Sequence, residues 1–74
     1  MKFAEFIQSA RVFPTPRGAF IADAKTWINA GVLPAVDSWA DLYGFMSRRG
    51  SRPEAIDIAR KVWREYKAKI SEAA

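Results

Sequence analysis

Pro53-Glu-Ala-Ile-Asp-Ile-Ala-Arg-Lys-Val-Trp-Arg-Glu-Tyr-Lys-Ala-Lys-Ile70 reads as one long amphipathic helix. Ile56, Ala59, Trp63, Tyr66 and Ile70 recur every third or fourth position, a spacing that brings side chains to one side of an α-helix. Val62 widens the stripe, while Asp57, Lys61, Arg64 and Glu65 fall elsewhere and stay hydrated. At ~1.5 Å per residue such a helix runs roughly 27 Å, about the width of a small domain. The remaining segments are therefore expected to pack against it.

Working back from that rod, three shorter helices are predicted. Residues 2–11 carry Phe3, Phe6, Ile7 and Ala10 at helical spacing. Pro14 and Pro16 then break the pattern, because the residue before a proline is pushed away from helical dihedrals. Thr15-Pro16-Arg17-Gly18 starts a second helix: the hydroxyl caps free N–H groups and the proline takes the first helical position. Gly18 in that first turn is unfavourable by ~1 kcal/mol against alanine, so a close backbone or aromatic neighbour is expected to compensate. Phe20, Ile21, Ala24, Trp27 and Ile28 form the buried stripe, and Gly31 ends the helix. Leu33 and Val36 in the connector are expected at the core edge. Ser38 with Asp41 makes a capping-box start for the third helix, whose inward face is predicted as Trp39, Leu42, Tyr43 and Met46. Arg48-Arg49-Gly50 closes it, and Ser51 with Glu54 gives a second box-like start. Asp57–Lys61 and Glu65–Lys69 are acid-to-base pairs at i, i+4. The tail after Ile70 is expected to fray.

With 74 residues, residues 1–74 are expected to form a single domain. A domain of this size buries only ~60% of its unfolded surface, with a stability of roughly 4–11 kcal/mol. Large aromatics fill such a core efficiently, and ten of the residues are Phe, Trp or Tyr. There is no cysteine and no histidine. Disulfide frameworks, Cys/His zinc sites and Ser-His or Cys-His catalytic pairs are thereby excluded. Glu5 and Gln8 interrupt the opening residues before an apolar run forms. The expectation is a cytoplasmic chain with neither secretory signal nor membrane span.

Thr15-Pro16-Arg17-Gly18 with Phe20-Ile21-Ala22-Asp23, then Ser38-Trp39 with Leu42, then Trp63-Arg64-Glu65-Tyr66 resembles the YozE-like family of small bacterial proteins. The likeness spans roughly residues 3–67. It implies an all-α fold, a compact four- to five-helix orthogonal bundle that is sterile-alpha-motif (SAM)-like, and it implies no activity. The family pattern has an acidic residue after the glycine of the second helix start, whereas this chain has Ala19.

Lys and Arg total 12 against 8 acids, a net charge of +4. Arg48, Arg49 and Arg52, extended by Arg60, Arg64 and Lys67, form the one conspicuous basic constellation. Such residues either remain a solvated face with a helix C-cap, or contact phosphates or an acidic protein. No aromatic is evidently interleaved with them on an exposed face, which argues against a stacking platform for single strands. Glu54 and Asp57 occupy the positions where a recognition helix would read bases. Arg17, Gly18 and the free N–H groups of the second helix start are a candidate anion site, set against an ordinary capped helix. Asp37 and Asp41 are better explained as caps than as catalytic carboxylates. The expected function is a non-enzymatic, cofactor-free interaction module. Its partner is another protein or a second copy, the latter through Asp37 and Asp41 against the Arg48–Arg52 region. The alternative is nucleic-acid binding through the six basic residues. Neither a membrane nor a small-molecule substrate is expected as a partner.

Overall fold

A computed structural model describes residues 1–73, Ala73 as backbone only. It contains α1 (Phe3–Ser9), α2 (Pro16–Asn29), α3 (Trp39–Arg48) and α4 (Pro53–Ala73), with no strand among the described residues. The Cα radius of gyration is 11.5 Å, close to the ~11 Å of a compact chain of this length.

The apolar stripe of α4 is the base of the core. Ala59, Val62, Trp63 and Tyr66 are buried, and Ile56 and Ile70 pack against them half-buried. Phe3 and Ile7 of α1, Phe20, Ile21 and Ala24 of α2, and Leu42, Phe45 and Met46 of α3 complete it. Leu33 and Val36 lie at its edge. α1 is held to the second half of α4 by aromatic contacts. The Phe3 ring lies 5.3 Å from Trp63 and edge-on at 5.4 Å from Tyr66, and Phe6 lies 5.6 Å from Tyr66. The Tyr66 hydroxyl donates to the Met1 carbonyl at 2.8 Å, giving a partly buried O–H a partner.

The expected inner face of α3 needs one correction. Tyr43 is 46% exposed and Phe45 is buried instead. Phe45 packs edge-on 5.2 Å from Trp27 of α2, which decides which flank of α3 turns inward.

Helix ends follow their local chemistry. The Thr15 hydroxyl accepts from Gly18 N–H at 3.0 Å. Gly18 itself is buried, and a Cβ there would collide with the Phe13 backbone, 2.7 Å from its carbonyl carbon and 2.8 Å from its nitrogen. The compensating neighbour of this glycine is therefore backbone rather than an aromatic ring. α2 and α3 both end in a Schellman motif. Gly31 and Gly50 have φ of +73° and +75°. Their N–H groups donate to Ile28 and Ser47, and the next residues, Val32 and Ser51, donate to Trp27 and Met46. Ser38 and Asp41 form the capping box, with Asp41 Oδ2 also accepting from Asp37 N–H at 3.0 Å.

Three expectations fail locally. Ser51 does not cap α4. Its N–H closes the end of α3, the helix begins at Pro53, and Arg52 stands at the cap position. The i, i+4 pairs do not form either. Asp57 lies 3.8 Å from Arg60, and Glu65 reaches across to Arg17 on α2. Finally, α4 continues through Ala73, since Ser71-Glu72-Ala73 contains two good helix formers and no breaker. Ala74 lies outside the described residues.

Candidate functional site

Of the six basic residues, Arg48 ends α3, Arg49 and Arg52 lie in the turn between α3 and α4, and Arg60, Arg64 and Lys67 lie on α4; all six are exposed. Arg48 folds back along its own helix, its guanidinium lying over Gly44. Arg49 sits over two rings at once, 5.5 Å from the Trp27 centroid and 5.3 Å from Phe45. That placement gives a cation–π attraction on two faces without a carboxylate partner.

Arg52 borders a groove of about 450 Å³ between α2 and the start of α4. Pro16, Ala19, Phe20, Asp23 and Trp27 form one wall, a complete helical stripe of α2. Met46, Ala55 and Ile58 form the opposite side, and Arg52 and Glu54 stand with Asp23 as its charged residues. Most of its accessible lining is apolar side chain. Sequence reasoning missed this groove, because it assigned Phe20 and Trp27 to the core and gave Ala19, Asp23 and Ile58 no role. Trp27 and Ile58 are in fact only half-buried and Ala19 is exposed.

The Arg60 guanidinium lies 5.3 Å above the Trp39 ring, and Trp39 lies 6.0 Å from Tyr43. Arg60, Arg64 and Lys67 are exposed and spaced to share one face of α4. Arg60 thus does have an aromatic partner, and it is half-buried rather than exposed. The partner is about twenty residues away in the chain, so no local pattern announced it. Lys67 also borders a cleft of about 370 Å³ beneath Leu33, Val36 and Tyr66, which Asp37 lines too.

The candidate anion site at the start of α2 is already occupied by the protein itself. Arg17 donates to both oxygens of Glu65, with Nε 2.9 Å from Oε2 and Nη2 3.0 Å from Oε1. These hydrogen bonds raise the Arg17 pKa above its ordinary value, more than its slight desolvation lowers it, and the Glu65 charge adds to the rise. Asp41 is likewise committed, one oxygen accepting from both Asp37 N–H and Ser38 N–H. Among the described residues no three carboxylates gather closely enough to hold a metal ion, and no helix is long and apolar enough to cross a membrane. Compared with known proteins, the chain matches no family model, no curated protein and no solved structure.

Proposed function

We propose that this chain is a small interaction module that binds a helix of a protein partner in the groove between α2 and α4. The groove is the observation that carries the reading. Its α2 wall, Pro16 to Trp27, extends roughly 16 Å at helical rise. An amphipathic helix of about eleven residues matches that length, with apolar anchors three and four apart laid over Phe20, Trp27 and Met46. Asp23 on α2 and Glu54 on α4, with Arg49 and Arg52 at the turn, favour a partner helix bearing both signs of charge. Such a module needs neither cofactor nor catalytic group. The proposal keeps the cytoplasmic location and the SAM-like orthogonal packing of the YozE-like type. What supports the latter is the order of four helices and the capped start at Thr15-Pro16-Arg17-Gly18.

A displayed library of random helical peptides tests the reading, selected on the parent protein alone and then assayed against Ala19→Arg and Ala55→Arg. Both substitutions fill the groove from its rim and leave the buried core unchanged. Recovered peptides should share apolar anchors at i, i+3 or i+4, and i+7, and should lose binding to the filled variants. A selection yielding only peptides that bind parent and filled variants alike refutes it.

A further inference from the structure

We propose that the surface formed by Trp39, Tyr43, Arg60, Arg64 and Lys67 binds single-stranded nucleic acid. This surface lies apart from the α2–α4 groove, and the inference stands independently of the function assigned to that groove. Arg60, Arg64 and Lys67 rise along one face of α4 over roughly 10 Å. At the ~3.4 Å rise per nucleotide of a stacked strand, that length faces about three phosphates. Arg60 also covers Trp39, 5.3 Å from its ring centroid. The guanidinium is thus held by an aromatic face, with Nη1 3.8 Å from Asp57 Oδ1, a contact too long to satisfy it.

The aromatic half decides the class of ligand. Tyr43 packs one edge against Trp39, at 6.0 Å and 52°, and stays 46% exposed. It is anchored by Trp39 and open to solvent, one ring away from the Arg60 guanidinium. A base from an unpaired strand stacks on such a ring whatever its identity, while its phosphates follow the basic row. A duplex keeps its bases stacked on each other and offers none to Tyr43. An anionic membrane would want several apolar side chains to insert, and this surface presents a single aromatic tip. Two acids border the surface. Asp57 meets Arg60 at 3.8 Å, a long surface contact, and Asp37 lines the cleft beside Lys67 without coming within 4.0 Å of it. Among the described residues no carboxylate lies within 4.0 Å of Arg64 or Lys67.

The test is fluorescence anisotropy of a labelled twelve-nucleotide oligo(dT) titrated with the full chain between 50 and 200 mM salt. Binding is expected at low salt, with log K falling against log salt at a slope near −2, about 0.7 for each of three phosphates. Arg64→Ala and Lys67→Ala should each flatten that slope by about 0.7. Tyr43→Ala should weaken binding roughly 5- to 150-fold with the slope unchanged, and Tyr43→Phe should restore it. Arg49→Ala with Arg52→Ala, at Trp27 and the α2–α4 groove instead, should bind like the parent. All these positions are exposed, and circular dichroism confirms that each variant remains helical. The proposal is overturned by absence of binding at 50 mM salt, or by Tyr43→Ala binding as tightly as the parent. It is equally overturned if duplex DNA, polyglutamate or phosphatidylserine vesicles compete as well as the single strand, since the surface would then read only charge.

Discussion

Gly18→Ala is the substitution on which helix propensity and tertiary packing disagree in sign. In an exposed helix interior the change gains ~1 kcal/mol. Here the new methyl would enter the Phe13 backbone, 2.7 Å from its carbonyl carbon and closer still to its oxygen. A backbone segment cannot rotate aside as a side-chain tip can. Residues 13–15 would have to retreat, and Thr15 would lose the geometry of its 3.0 Å cap to Gly18 N–H. Overpacking costs about 1–3 kcal/mol, and a lost cap costs about 1 kcal/mol. Set against the propensity gain, the net loss is about 2 kcal/mol, which lowers the melting temperature of a domain this size by roughly 8–16 °C. Gly44→Ala supplies the comparison, since its Cβ would meet only the Arg48 guanidinium, at 3.2 Å. That flexible tip can move, so Gly44→Ala should stabilise by up to ~1 kcal/mol. Thermal melts followed by circular dichroism read both. The losses of Thr15→Ala and Gly18→Ala should also combine to less than their sum, because one disturbs the cap that the other removes. A Gly18→Ala protein melting at or above the parent would refute the close approach of residues 13–18.

Three further outcomes are expected. Trp63→Ala removes an indole that is 8% exposed and lies against Phe3 and Tyr66; urea unfolding should show a loss of roughly 3–5 kcal/mol, much of the stability available to so small a domain. Ser38→Ala should cost about 1 kcal/mol in the same assay, because it opens one half of the capping box. Glu65→Gln should cost under ~1 kcal/mol despite the two-pronged contact, since both partners are well exposed and water screens the pair. That last difference should shrink further in 1 M salt, where the screening length falls to ~3 Å.

Periodicity made the inner face of α4 legible because Trp63, Val62, Ala59 and Tyr66 leave one arrangement that buries them all. α3 was ambiguous in a way no window could resolve. Tyr43 and Phe45 flank Leu42 and Met46 on opposite sides, and the choice falls to Phe45 because Trp27 waits on that side. The capping signal at Ser38 was local and held. The equivalent signal at Ser51 failed because Gly50 had already committed the Ser51 N–H to Met46 of the preceding helix. The basic constellation was visible as composition, but the seats of its arginines were not. Arg49 and Arg60 are placed by Trp27 and Trp39, each from a different helix. Glu65 illustrates the same limit: Lys69 was its sequence neighbour, yet Arg17, from the other end of the chain, offered a forked donor of better geometry.

The clasp between Phe3 and the Trp63–Tyr66 pair sets a timetable on the ribosome. Within this domain the first helix made depends on rings about sixty residues further along the chain. At ~5–20 residues per second, Phe3 and Ile7 wait several seconds without their eventual cover. The nascent segment therefore stays an amphipathic peptide without its apolar cover until α4 has been made, and the domain condenses only then.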